Sequence, residues 1–251
     1  MKIVTSFSPN RIERQQYCVS TWAKYGLPIV AVQTTGEAAQ MQQYYPSVTF
    51  VETDKTGIVH HRPRCPTIAA ICEQASDDTI LLVNSDISIK DTSEQFKHQW
   101  VRDRGKTLVV GIRKDFAVVG GAKWLNPYGI DAYRVTPAMA ELVIADESRF
   151  GMGFAIGCAG WDYWITWLLW QQGYNVAVAN SSLLHPIHSR SYSQDDVDRA
   201  ADMFLRHYRL TPHVMTTFIQ EVTRRQGAKW LDKRQYMGIS AILSPPSAIK
   251  E

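Results

Sequence analysis

Three stretches of this chain place chemically able side chains at the ends of apolar runs. In LLVNSDISI, residues 81–89, the run Leu81-Leu82-Val83 leads into Asn84-Ser85-Asp86 and so delivers a carboxylate to a strand end. Hard cations such as Mn²⁺ and Mg²⁺ prefer carboxylate oxygen and keep positions open for phosphate, so Asp86 could bridge such an ion to a diphosphate. The same tripeptide also suits an ordinary strand-ending turn. In Gly160-Trp161-Asp162 an acid sits where a helix begins. The helix dipole would hold it ionised, ready to take a proton from a hydroxyl; a plain first-turn charge reads the same way. In His185-Pro186-Ile187-His188 two imidazoles follow a later strand, able to ligate a metal or to hydrogen-bond locally. Arg62 and Arg64 have guanidinium geometry suited to a diphosphate, or to a solvated loop. His60, His61 and Cys65 beside them lack the second ligand pair of a zinc site.

The elements that must position these groups follow from the apolar pattern. Leu81, Leu82 and Val83 stand side by side instead of alternating with polar residues, which predicts a strand buried on both faces, as in a parallel sheet covered by helices. Strands are expected at 2–7, 29–34, 48–53, 79–89, 107–112 and 175–179, with a further segment at 129–135. Helical stretches separate them at 11–25, 36–44, from Pro66 through TIAAICEQA, at 92–104 and at 161–172. Ser193 with Asp195 and Asp196 starts another helix, and Thr211-Pro212 one more. This alternation predicts an α/β fold with a mostly parallel, doubly wound sheet, whose ligands bind at the carboxyl ends of its strands. Trp161, Trp164, Trp167 and Trp170 spiral around their helix and should mostly serve the core, with Trp161 the one nearest a ligand.

Composition bounds the rest. A chain of 251 residues that is 45% hydrophobic can bury a full core without staples. Cys18, Cys65, Cys72 and Cys158 are scattered without a CxxC pair, which argues against a disulfide framework. MKIVTSFSPN is no signal peptide and no apolar stretch reaches transmembrane length, so a soluble, cytoplasmic protein is expected. The net charge of +3 is local: residues 201–251 carry +4 and the remainder −1. Arg224, Arg225, Lys229, Lys233 and Arg234 flank Trp230, a mixture that fits a polyanion or a solvated helix end.

In chain order, Asn84-Ser85-Asp86, Gly160-Trp161-Asp162 and His185-Pro186-Ile187-His188 resemble the nucleotide-sugar glycosyltransferases of the GT-A fold, over about residues 1–190. The resemblance implies a nucleotide-binding half at 1–90 and an acceptor half at 91–190, and the helix starts that follow mark a helical extension at 191–251. It makes Asp86 a ligand of Mn²⁺ or Mg²⁺ on the donor diphosphate, Asp162 the catalytic base, and His188, ahead of His185, the second protein ligand. Thr5, Ser6 and Phe7 at the end of the first strand would meet the nucleotide, with Arg11 assisting and Asp54 reaching base or ribose. Arg64, Asn84 and Ser85 complete the donor contacts, while Asp131 and Trp161 line the sugar site. Asp54 reads equally as a turn acid, and Asp131 as a strand-edge surface charge. Two departures matter. Asn84 replaces the first acid of the family's Asp-X-Asp type motif, and Trp161-Asp162 stands where Glu-Asp is frequent, leaving one carboxylate as base.

The expected activity is transfer of a sugar from a nucleoside diphosphate, UDP favoured, to a hydroxyl acceptor, with inversion and with a divalent ion. The acceptor is a glycan or small molecule, or nucleic acid bearing hydroxymethylated bases. Two rivals stand beside it. One is a non-catalytic sugar- or nucleic-acid-binding module on a degenerate transferase fold. The other is a nucleotidyltransferase, which would carry a Gly-rich basic loop where this chain has SFSPNRIERQ.

Overall fold

The computed structural model describes residues 1–57, 65–116, 123–150, 153–179, 181–186 and 194–209. His60, His61, Arg62, Arg64, His188, Ser193, the Thr211-Pro212 start and the basic segment 224–234 lie outside the described residues.

The chain runs β1 (Lys2–Thr5), α1 (Ile12–Ala23), β2 (Ile29–Thr34), α2 (Ala38–Gln42), β3 (Thr49–Thr53), β4 (Thr56–Gly57), β5 (Cys65–Pro66) and α3 (Ile68–Cys72). It continues through β6 (Ile80–Val83), β7 (Ser88–Ile89), α4 (Ser93–Phe96), β8 (Thr107–Phe116), β9 (Lys123–Val135), α5 (Pro137–Phe150), α6 (Trp161–Gln171), β10 (Asn175–Val178), β11 (Leu183–Pro186) and α7 (Gln194–Tyr208). The main sheet has the order β3-β2-β1-β6-β9-β8-β11-β7. β10 and β11 pair in parallel with successive halves of β8. β1, β2, β3 and β6 are mutually parallel, while β9 runs antiparallel between β6 and β8. This is the mostly parallel α/β sheet flanked by helices that the apolar pattern predicts.

Side-chain alternation explains why the inner strands are apolar throughout. Val4, Ile80 and Leu82 enter one core with α3, α5 and α6, whereas Ile3, Leu81 and Val83 enter a second core with α1 and Trp100. Each fully buried Leu or Ile contributes about 1.5–3 kcal/mol of transfer free energy, so a polar residue is expensive at any of these positions. Among the described residues no helix is long and apolar enough to cross a membrane.

Several elements differ from the sequence expectation. The stretch 79–89 is not one strand: β6 ends at Val83, and Ile87 N donates to Asn84 O at 3.1 Å, closing a turn. The chain then crosses to the far edge, where β7 pairs antiparallel with β11. Pro66 does not open α3; it lies in β5, and Thr67 caps the helix, its Oγ1 accepting from Ala70 N at 3.1 Å. The helix expected at 92–104 starts with a capping box, Thr92 with Gln95, and ends as a π-helical turn over Lys97–Val101. That turn sets Trp100 against Gly111 on β8, where an added Cβ would lie 2.7 Å from the indole and 2.5 Å from Leu183. The segment expected at 129–135 is the end of the longer β9, and α5 has no counterpart in the sequence reading.

Candidate active site

The turn after β6, the distal half of β8, β9, the start of α6 and β11 bring their polar residues to one rim of the sheet. Asn84 opens the turn, which puts Ser85 and Asp86 at its central positions, all three partly exposed. Asn84 N donates to Asp131 O at 3.0 Å, and the Asn84 amide also donates to the Asp131 carboxylate. The other Asp131 oxygen meets Arg113 Nη1 at 3.2 Å, while Arg113 Nε lies 2.9 Å from Asp115 Oδ1. Asp115 Oδ1 is 2.9 Å from His185 Nδ1, and His185 Nε2 is 3.3 Å from Asp86 Oδ2. A continuous polar chain therefore runs Asn84, Asp131, Arg113, Asp115, His185, Asp86.

Such a chain is what burial demands. Asp131 is 3% exposed, Asp115 8% and His185 5%, and an isolated buried carboxylate would cost several kcal/mol. Burial raises the Asp131 pKa, with the Arg113 charge opposing it. Burial also pulls the His185 imidazole down, but hydrogen bonds to Asp115 and Asp86, with the Asp86 charge, outweigh it and lift the ring to about 9. Asp162 is pushed up to about 7, by burial first and then by the Asp131 charge. This corrects the expectation that the helix dipole holds Asp162 fully ionised. Its Oδ1 does accept from Tyr163 N at 3.1 Å, yet desolvation wins. The backbone around it is anchored, because Tyr133 Oη donates to Asp162 O at 2.7 Å. Gly160, the residue before α6, has φ of 86°, and an added Cβ there would approach Phe154 to 3.3 Å and Ala200 to 3.2 Å. A glycine suits that left-handed entry.

Not every expected residue reaches this cluster. Asn84, Asp86, Asp131 and Asp162 do, although both Asp131 oxygens are already engaged and the residue is a buried hub, not a strand-edge charge. Thr5 is fully buried and Phe7 is 3% exposed, stacked on Tyr45 at 4.0 Å. Ser6 Oγ donates to Gln33 Oε1 at 2.8 Å, and Phe7 N donates to the same oxygen at 2.8 Å. These bonds tie the β1 end to β2. Arg11, in a left-handed conformation before α1, and Asp54 are exposed. Trp161 is 3% exposed and packs on Tyr133 at 5.3 Å, so it belongs to the core.

Arg113 and Asp115 join the site beyond the residues the sequence motifs mark. The signal was present: TLVVGI at 107–112 runs into Arg113-Lys114-Asp115 as Leu81-Leu82-Val83 runs into Asn84-Ser85-Asp86. Among the described residues no group of three or more His, Cys, Asp or Glu is arranged to hold a metal ion. Asp86 and His185 instead form an ion pair with Asp115 behind the imidazole, and a cation entering there would have to displace the ring proton that the two carboxylates hold.

No family model matches the chain, nor does any curated protein. Among solved structures, S. aureus TarS 1–349, determined in complex with UDP-GlcNAc, matches with a TM-score of 0.50 and 12% identity, covering 97% of this chain and 80% of that one. At this identity the likeness is one of fold, and it is consistent with a GT-A-like sheet.

Proposed function

We propose that this protein is a glycosyltransferase that moves a sugar from a nucleoside diphosphate donor, a UDP-sugar favoured, to a hydroxyl acceptor with inversion. The observation that carries the reading is the convergence of Asp86, Asp115, Asp131 and Asp162 with Arg113 and His185 at the strand ends. Four carboxylates against two cationic side chains leave a surplus of negative charge where an open α/β sheet binds ligands. The choice of donor draws on the fold shared with TarS, which was determined with UDP-GlcNAc.

In this reading Asp162 is the base. A carboxyl with a pKa of about 7 is a stronger base than an ordinary aspartate and is still substantially ionised near neutrality. The acceptor hydroxyl gives its proton to an Asp162 carboxylate oxygen as its own oxygen bonds the anomeric carbon. The bond from that carbon to the diphosphate oxygen breaks, and its electron pair leaves with the nucleoside diphosphate. One displacement inverts the centre. Asp86 and His185 are the residues proposed to hold Mn²⁺ or Mg²⁺. The ion, when bound, would offset the negative charge developing on the departing diphosphate. Asn84 and Arg113 hold Asp131, and with it the turn that carries Asp86. The acceptor is proposed as a glycan or small molecule, with hydroxymethylated nucleic acid as the polyanionic case.

The test is release of nucleoside diphosphate from a panel of nucleotide sugars, with and without Mn²⁺. Turnover of one donor that is lost in Asp86→Ala and in Asp162→Asn is the expected result. Absence of turnover and of metal-dependent donor binding across the panel would reject the transferase and leave the binding module.

A further inference from the structure

We infer that Gly129 is a positioning residue for the acid pair of the site: the room it leaves lets the Arg113 side chain cross β9 to Asp131, and so fixes Asp131 as the acid that stays charged beside Asp162. Asp162 as the proposed base is the premise, and the new element is a residue with no chemistry of its own.

The backbone sets up the crossing. Along the antiparallel β8–β9 ladder the register steps from Gly111 with Ala132 to Ile112 with Ile130 and then to Lys114 with Leu125, so Asp131 and Arg113 both fall at its irregularities. Bulges of this kind re-aim side chains beside active sites. Arg113 lies across Gly129: a Cβ added there would stand 2.7 Å from Arg113 Nε and 2.9 Å from both Cδ and Cγ. The collision involves the stem of the side chain and not only its mobile tip, so the guanidinium would have to leave its place. Gly129 is buried and is not among the glycines with positive φ, so what its missing side chain supplies is room and not backbone freedom. Through that gap Arg113 Nη1 reaches Asp131 Oδ2 at 3.2 Å, while the Asn84 amide donates to the other Asp131 oxygen.

Two neighbouring buried acids do not both ionise freely, and the one with the better counter-charge keeps the negative charge. Asp131 has the Arg113 guanidinium from β8 and the Asn84 amide against it, with the charges of Asp86 and His185 also acting on it. Asp162 faces Asp131 and Tyr133 from β9, Arg113 from β8 and its own neighbour Tyr163 on α6. Tyr133, two residues beyond Asp131, fastens β9 to this helix start through its bond to Asp162 O. The Asp131 charge acts on Asp162 more strongly than the Arg113 charge does. With Arg113 displaced, Asp131 loses its counter-charge and becomes the acid that takes up the proton, and Asp162 is relieved of the repulsion that makes it a strong base.

The experiment follows the aspartate carboxyl groups of the full chain by ¹³C NMR as a function of pH, a readout that needs no turnover. Asp131→Asn and Asp162→Asn assign the two signals, and Gly129→Ala, Arg113→Ala and the double variant are compared with wild type. In wild type the Asp162 carboxyl should titrate near 7. In Gly129→Ala it should shift down by about one pH unit or more, and Asp131 should become the acid that titrates near neutrality. Arg113→Ala should reproduce this exchange, and adding Gly129→Ala to it should change nothing further, because the stem that the new methyl group meets is gone. If Gly129→Ala does not fold, the double variant decides: it should fold and titrate as Arg113→Ala does, and its failure to fold would overturn the assignment. So would an Asp162 titration in folded Gly129→Ala that matches wild type, or a wild-type Asp162 that does not titrate near 7. Donor turnover is scored separately: if no nucleotide sugar is turned over, the transferase is rejected, while the exchange of the proton between the two acids still decides the role of Gly129.

Discussion

Asp131 and Asp146 are both buried acids with a histidine nearby, yet their surroundings could hardly differ more. Asp146 on α5 is 6% exposed and accepts from Trp164 Nε1 at 2.9 Å on α6 and from Tyr208 Oη at 2.7 Å on α7. Its donors are largely neutral and come from two other helices, so one acid fastens three helices together. Asp131 is instead crowded by charge, with the Arg113 guanidinium against it and the Asp86 carboxylate close enough to raise its pKa. A carboxylate satisfied by neutral donors is scaffolding. Carboxylates packed together at strand ends, with one pKa driven to about 7, are poised to exchange protons or to receive a cation.

The largest test of that contrast is Asp162→Asn. If Asp162 removes the acceptor proton, kcat should fall by about 10²–10⁴-fold, the usual worth of a positioned base, with donor affinity nearly unchanged and, at pH 5, a melting temperature close to that of wild type. Loss of donor binding instead would make Asp162 a structural part of the site. Next is Asp146→Ala, which strands the Trp164 and Tyr208 donors. It should lower stability by about 2–4 kcal/mol in urea unfolding, judged by the cost of unsatisfied buried groups, while the folded fraction keeps its kcat. A fall in kcat for folded Asp146→Ala would join the two regions into one functional unit.

The pH dependence separates them further. Asp162 has a folded pKa of about 7, above that of an unfolded aspartate. The native state therefore binds the extra proton between roughly pH 4 and pH 7, where an unfolded aspartate has already lost it. The contribution to stability is fully present below the unfolded pKa and is lost as pH rises through 7. Activity runs the other way, since only the ionised carboxylate accepts a proton. kcat should climb with pH and level off above about 7, and Asp162→Asn should lack that limb. Its unfolding midpoint should also fall less than that of wild type between pH 5 and pH 8. A rate limb unchanged by Asp162→Asn would assign the titration to another group.

Much of this arrangement is legible in the residues, and the failures have physical causes. β2 matches its expected bounds, 29–34, because IVAVQT is buried along its whole length and bounded by Pro28 and by Thr35-Gly36. The stretch 79–89 reads as one strand in the sequence, but the turn residues Asn84-Ser85-Asp86 reroute the chain to another sheet edge, where Ile87, Ser88 and Ile89 are buried as Leu81–Val83 are. α5 carries a start signal of its own in Thr136-Pro137, of the kind that marks a helix at Thr211-Pro212. Arg113 and Asp115 were open to the strand-end rule that found Asp86. What no local pattern reveals is the β8–β11 register, a tertiary fact that places Asp115 beside His185, whose Nε2 faces Asp86.

The smallest expected effect concerns the second histidine. His207 Nε2 lies 3.5 Å from Asp146 Oδ1, at the limit of a useful hydrogen bond, and its side chain is 19% exposed. His207→Gln should therefore change stability by about 0.5 kcal/mol or less, in the range of exposed ion pairs. Tyr208→Phe removes a 2.7 Å donor to the same carboxylate and should cost about 1.5–3 kcal/mol, the worth of a hydrogen bond to a charged acceptor. Urea midpoints of the two variants in one buffer give the comparison directly. Equal losses would mean that Asp146 depends on an ion pair as Asp131 does, and the distinction between a scaffold acid and a site acid would then rest on Asp162 alone.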